Sequence, residues 1–517
     1  MPSDSLSSHE PAKTSQPKRR MAGRDIHETH RVSTSLELLF DLTFVVAIAA
    51  AAAQLHHAAA EHHLGAGLLG FVTTFFAIWW AWMSFTWFAS AYDTDDVRYR
   101  FLTMTQMVGV LVLAAGVPQA AKGNFSTITV GYIIMRVGLI ALWLRAAAEH
   151  PERRTTCLRY AFGIGGAQVL WVARLWLPAS MGLSSFVVLA LLELAIPMWA
   201  ARAGHTPWHA HHIAERFGLF TIIVLGECVL GASNAIAGLI EASGWSLEVI
   251  LVGFGSASLI LSLWWVYFLV PSGEALHKHR ERAFRWGYGH AFLFMSLAAL
   301  GAFLGVVADQ LESVNATSAV HSLSPTYAVT LVASAVGVYL VLVWWMNSHV
   351  ARQEARLKLV WLGSLAILAA VVFAVSGGLP LAWAIPALTL APALVVGFVE
   401  RDSAAARALC YSVVDHPNRS DSRPSRSCTF ASSSLASSCS DRFNALNSRS
   451  TLRAVVPHPM SPTLTCADAS MSRASSSISR SSAASALAIA TSVMSAARNA
   501  STRALSGNVS GAETLTV

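Results

Sequence analysis

Apolar residues in this chain come in long unbroken runs rather than in the short alternations of strands or the half-faced stripes of soluble helices. A helix needs about 20 apolar residues to cross the hydrocarbon core of a bilayer. Runs of that length fall at 35–57, 65–91, 101–121, 129–148, 157–177, 183–201, 214–239, 246–270, 287–308, 326–348, 357–376 and 379–399. Backbone groups in lipid must bond within their own segment, so the pattern predicts helices. The last two runs are separated only by Ser376-Gly377-Gly378 and Pro380. The expected fold class is all-α: a polytopic membrane bundle of about twelve transmembrane helices.

Charge tests that count. Basic residues collect before the first run (Lys13, Lys18, Arg19, Arg20, Arg24, Arg31) and then in alternate connections. These are Arg98 and Arg100; Arg145, Arg153, Arg154 and Arg159; Arg202 and Arg216; Lys278, Arg280, Arg282 and Arg285; Arg352, Arg356 and Lys358; and Arg401 and Arg407. The other connections hold essentially Lys122. Positive connections face the cytoplasm, which puts both termini inside and the chain in the inner membrane.

Composition agrees. The 517 residues are 54% hydrophobic and only 13% charged, whereas a soluble protein is about 25% charged. The 17 Trp and 23 Phe demand burial, which excludes disorder over most of the length. Six Cys are too few for a disulfide scaffold. The net charge of +7 suggests nucleic acid less than membrane orientation, because it lies in short connections between apolar runs.

Three regions follow. Residues 1–34 form a basic cytoplasmic tail without an apolar run long enough for a signal peptide. Residues 35–400 form the transmembrane domain. Residues 401–517 are rich in Ser, Arg and Ala, lack Trp and Lys, and read as a disordered cytoplasmic tail or an out-of-frame extension.

An internal repeat is visible within the domain. Glu37-Leu-Leu-Phe-Asp-Leu-Thr43 opens the first run and Glu215-Arg-Phe-Gly-Leu-Phe-Thr221 the seventh, with Glu and Thr in the same register. The next runs carry Trp79-Trp80 and Trp264-Trp265. Two parallel six-helix repeats, 35–201 and 213–400, would fit, with chance similarity of apolar helices as the alternative.

Ionisable groups inside spans cost about 2.5–3.5 kcal/mol each on insertion scales, so each needs a reason. Near the inner side are Glu37 and Asp41, four residues apart on one face, with Glu215 and His290. Two acids that close need a cationic neighbour or a proton; Glu37 and Glu215 are also explained by helix N-termini. Near the midplane, Arg136, Glu193 and Glu227 fall within about 5 Å of one another in depth at 1.5 Å per residue. Two acids and one guanidinium leave a negative charge for a coupling proton, a cation or a cationic substrate to balance. A static Arg–Glu pair beside a protonated acid is the alternative.

Other signals predict little chemistry. The outer cluster His56, His57, Glu61, His62, His63 and the inner cluster His205, His209, His211, His212 have no Cys in support, so no metal and no cofactor are expected. Gly163-Ile-Gly165-Gly166 lies within a run and reads as close helix packing. The Trp pairs read as packing or interfacial anchors, and Arg174 as a snorkelling residue. With no phosphate-binding loop, nucleophile elbow or metalloprotease pair, an enzyme is not expected.

Four strings carry a resemblance: LELLFDLTFVVAIA (36–49), YDTDDVRYRFLTMTQMVGVLVLAAGVP (92–118), HIAERFGLFTIIVLGECVLG (212–231) and YGHAFLF (288–294). They resemble the bacterial low temperature requirement A family of multi-pass membrane proteins. The resemblance implies a link to growth in the cold and puts motif residues at Glu37, Asp41, Glu215, Glu227, Asp95, Arg100 and His290. Cys228 departs from it, the family more often having Ser there. The resulting expectation is a proton- or cation-coupled transporter of a small solute or ion, working in the lipid bilayer. A non-transporting protein for cold sensing or scaffolding, or an ion channel, is the alternative.

Overall fold

The computed structural model describes residues 20–26, 28, 31–315, 323–350 and 355–415. Among them there is no strand. The helices are α1 (Ser35–Ala60), α2 (Leu64–Tyr92), α3 (Val97–Ala121), α4 (Ser126–Glu149), α5 (Arg154–Ala173), α6 (Gly182–Ala201), α7 (Ala210–Ser243), α8 (Leu247–Phe268), α9 (Ser272–Lys278), α10 (Ala283–Asn315), α11 (Pro325–Val350), α12 (Ala355–Ser376), α13 (Leu381–Leu388) and α14 (Leu390–Asp415).

Eleven segments among the described residues are long and apolar enough to cross a membrane. The run at 157–177 is not one of them. It is helical as α5, but Arg159, Gln168 and the glycines at 163, 165 and 166 dilute its apolar content. The run at 379–399 is broken. Pro392 has no N–H for the carbonyl of Leu388, so the chain turns at Thr389 between α13 and α14, whose N–H bonds Pro386 instead at 3.1 Å. Helix α14 continues to Asp415, past the point where the sequence pattern predicts a disordered tail. The rest of that tail, 416–517, lies outside the described residues.

Caps explain where several helices begin. Thr34 and Glu37 form a reciprocal capping box at α1, Asp96 caps α3 and Ser246 caps α8. Between α2 and α3 the turn is tight, with Asp95 in the left-handed region at φ 48 and its N–H bonded to Asp93 Oδ1 at 2.9 Å.

Helix α10 is the axis of the bundle. Its apolar stretch is 89% buried, and it packs on α1, α2, α7, α11 and α13. Helices α6 and α12 are peripheral, at 17% and 28%. They turn Val188, Leu191, Leu362 and Phe373 outward, as suits a lipid-facing surface. In the first half α1 packs on α2 and α3, α3 on α4, α4 on α5 and α5 on α6. In the second half α7 packs on α8 and α10, α10 on α11, α11 on α12 and α12 on α14.

One end of the bundle, the near end, carries residues 20–26, 28 and 31–34 and the α2–α3, α4–α5 and α6–α7 connections. The far end carries the α1–α2, α3–α4 and α5–α6 connections.

Candidate functional site

Two buried polar sites hold most of the groups singled out by the cost of burial. The first joins the halves near the near end. Helix α1 presents Glu37 and Asp41 one turn apart, and α7 presents Arg216 between them. Arg216 Nε donates to Asp41 Oδ2 at 3.0 Å, and its Nη1 lies 3.0 Å from Glu37 Oε1. Trp82 Nε1 donates to Asp41 at 2.7 Å, and His212 Nε2 lies 3.3 Å from Glu37. All three charged side chains of this clamp are fully buried.

Arg216 therefore corrects the sequence reading, which counts it among basic residues of a connection. Its register was a usable signal. Ile213, Arg216, Phe217 and Phe220 are spaced three, one and three residues apart and all four are buried, so the arginine sits on the apolar face of α7. Arg31 extends the site, donating to the carbonyls of Ser90 at 2.5 Å and Ala89 at 2.7 Å, the last turn of α2.

Glu215 and His290 are not brought into this clamp. Glu215 is half-buried and accepts from the Ser33 N–H at 3.2 Å. His290 lies among Phe217, Trp286 and Phe294, with Nδ1 2.8 Å from the Trp286 carbonyl and Nε2 2.9 Å from the Tyr267 hydroxyl.

The second site lies in the first half of the bundle. Arg136 of α4 and Glu193 of α6, both buried, pair at 3.3 Å. Trp80 Nε1 of α2 donates to the same Glu193 oxygen at 2.8 Å, and Arg136 reaches the Tyr132 hydroxyl at 3.1 Å. Among the described residues, Glu193 Oε1 is buried with no hydrogen-bond partner. Depth places Arg136 and Glu193 together, as the sequence predicts, but Glu227 stands apart. It lies on α7 with its backbone against Gly301 of α10, and among the described residues it makes no ion pair or hydrogen bond through its side chain. Equal depth does not mean adjacency, because the three residues sit on different helices around the bundle.

Glu193 borders two cavities. One, of about 540 Å³, reaches toward the near end between α2, α4, α5, α6 and α10, where His205 and Arg280 stand at its edge. The other, of about 50 Å³, reaches toward the far end, where Phe125, Arg174 and Phe186 line it. Trp80 is thus part of the site rather than an interfacial anchor, while Trp264 and Trp265 are exposed on α8. Arg174, at the end of α5, bonds the Gly182 carbonyl at 2.7 Å and lines the smaller cavity.

The histidines of the two clusters stay near one another, His56 against His57 at 5.6 Å and His209 against His211 at 5.9 Å between ring centroids, and some also reach other partners. His56 pairs with Asp309 at 2.7 Å, and His209 Nε2 meets the Glu28 carbonyl at 2.8 Å. Outside the spans, the α2–α3 turn holds two acids of opposite character. Burial pushes the Asp93 carboxyl up to about 6, with the Glu37 charge adding to it. The Arg145 guanidinium holds Asp96 down at about 2.

Among curated proteins, the chain is similar to the uncharacterized protein RA0937 of Rhizobium meliloti (strain 1021), 29% identical over 273 residues. That match covers 49% of this chain and 64% of the relative. No solved structure matches. The family model of the bacterial low temperature requirement A protein (LtrA) matches residues 32–398, which take in every helix from α1 into α14 and both buried sites. The chain is a multi-pass membrane protein and belongs to the LtrA family.

Proposed function

We propose that this protein is a secondary transporter that moves a small solute or ion along a route between α2, α4, α5, α6 and α10, with the Glu193–Arg136 pair as the barrier between two half-routes. The observation that carries the reading is the position of Glu193, in the wall of both a near-end and a far-end cavity. A route closed at its middle by a breakable contact is what alternating access requires, and transporter sites lie at mid-depth. Positive connections orient the near end to the cytoplasm of the inner membrane. Glu227 is the candidate for the coupling proton, because a buried acid without a partner is best accommodated neutral. The family name supports a role in growth at low temperature.

Proteoliposome flux tests this. Glu193→Gln keeps the shape of the barrier but removes its charge, and should change the rate of uptake from an ion and metabolite panel at least ten-fold. Glu227→Gln should remove the dependence of uptake on a pH gradient while sparing expression. If no solute moves in the wild type, or if both variants match it, the protein is not a transporter of this design. A second reading, a membrane protein that senses or scaffolds without transport, is favoured by the Arg216 clamp, which ties α1 to α7 through fully buried charges. It requires these acids to matter for folding alone.

A further inference from the structure

Aromatic rings dominate the larger cavity. Trp80 and Trp87 come from α2, Trp143 from α4, Tyr160 from α5, and Phe284 and Tyr288 from α10. Trp143 and Tyr160 stack nearly parallel with centroids 4.1 Å apart, and Trp80 meets Tyr288 edge-on at 5.9 Å. Ring faces carry partial negative charge and attract cations. The carboxylate of Glu193 is in the same wall, with one oxygen committed to Trp80 and Arg136 and the other buried without a hydrogen-bond partner among the described residues. Arg136 does not line this cavity, so the space meets the carboxylate end of the pair. At the edge Arg280 also lines the cavity, its guanidinium engaged by the Trp208 ring at 4.0 Å and the Trp208 carbonyl at 2.6 Å, with Glu281 beside it.

We propose that this cavity binds a monovalent organic cation, an ammonium whose charge faces Glu193 and whose carbon groups rest on the rings. Its volume of about 540 Å³ is of small-molecule size. Ca2+ and Mg2+ require six or more oxygen ligands, and among the described residues no group of three His, Cys, Asp or Glu side chains is placed to hold a metal ion. An organic anion is opposed by the ring faces and by the carboxylate. The proposal names the substrate class for the transport reading above and takes from it only the identity of this cavity as the near-end half of the route. Binding itself requires no movement.

The full chain in lipid nanodiscs, titrated with phenyltrimethylammonium and followed by tryptophan fluorescence, tests it. Saturable binding is expected. N,N-dimethylaniline, similar in shape but neutral at pH 8, should bind at least ten-fold more weakly, and benzenesulfonate should not compete. Ser84, in the cavity wall, provides a variant that leaves the ion pair alone: Ser84→Leu should intrude into the space beside Trp80 and weaken binding at least ten-fold. Glu193→Gln should weaken it ten-fold or more, and if that variant does not fold, Ser84→Leu and the three probes decide. Equal binding of the neutral amine, or preference for the sulfonate, overturns the proposal. Binding without uptake in proteoliposomes leaves the cation site standing and removes transport. Uptake of another solute without phenyltrimethylammonium binding does the reverse.

Discussion

Arg216 bridges two carboxylates that α1 places one turn apart, and all three groups are out of reach of solvent. Removing one partner of such a set leaves charge buried without compensation, at a cost of about 3–5 kcal/mol. Arg216→Met should therefore lower the thermal midpoint of the detergent-solubilised protein sharply. Adding Glu37→Gln and Asp41→Asn to it should recover much of the loss, and a midpoint indifferent to Arg216→Met would show that the clamp is not structural. The α2–α3 turn yields a pH dependence of two signs. An unfolded Asp releases its proton near pH 4, whereas folded Asp93 holds it to about 6. Between those values the folded state binds more protons, so stability falls as pH rises, by about 3 kcal/mol for this group. Asp96, held at about 2 by Arg145, works the other way, and its contribution is lost as pH falls from 4 toward 2. Asp93→Asn should flatten the midpoint between pH 4 and 6 and raise it at pH 7; Asp96→Asn should flatten the acid limb and lower it at pH 7. Thermal unfolding across pH reads both, and an Asp93→Asn variant that keeps the wild-type profile between pH 4 and 6 would contradict the burial of Asp93.

Helices α3 and α4 meet backbone to backbone, through glycines seven residues apart on each: Gly109 and Gly116 on one, Gly131 and Gly138 on the other. A Cβ on Gly131 would lie 2.5 Å from the Leu113 nitrogen, and one on Gly138 2.7 Å from the Leu102 carbonyl oxygen. Small residues allow this approach in lipid, where packing rather than water expulsion drives association. Gly131→Ala should force the pair apart and cost about 1–3 kcal/mol. Gly166→Ala on α5, whose Cβ would meet open space, should cost nothing measurable. Equal midpoints for the two variants would refute the close approach. Nothing in hydropathy distinguishes Gly131 from Gly166, and the run 163–166, read as packing glycines, divides between Gly163 against Ile196 and Gly166 against nothing. Hydropathy reports what sits in hydrocarbon, so it places the centres of the helices well. The run at 183–201 becomes Gly182–Ala201 and 129–148 becomes Ser126–Glu149. It undershoots where a helix runs on into polar sequence, as α7 does from Ala210 to its Gly244 cap. At the sites, burial cost identifies Glu37, Asp41, Arg136 and Glu193, because an ion in lipid must have a reason. It passes over Arg216, because a basic residue near a span end looks like an orientation charge until its helical face is known.

At the scale of the molecule, Glu193 lines two cavities that reach toward opposite ends of the bundle, and the proposed barrier between them has a topological consequence. Ser84 and Thr73 stand on the same helix, α2, about three turns apart along it, yet Ser84 lines the near-end cavity and Thr73 the far-end one. Under the proposed orientation, with the near end facing the cytoplasm, Ser84→Cys should react with a membrane-impermeant thiol reagent only from the cytoplasmic face. Thr73→Cys should react only from the opposite face. The native thiols Cys157 and Cys228 are buried and bond Tyr92 and the Leu297 carbonyl, and replacing them and the four cysteines beyond residue 400 with Ala removes background. A transported cation should protect Ser84→Cys while it occupies the aromatic cavity, and should expose each position to the second face as the barrier opens. Labelling of both cysteines from one face in the absence of solute would mean that the cavities are a single open path, the behaviour of a channel. Labelling that is one-sided and unmoved by any solute would leave a fixed partition, the behaviour of a scaffold. The Glu193–Arg136 pair is the hinge of this distinction, because a carboxylate shared by two cavities separates them only while its partner holds it.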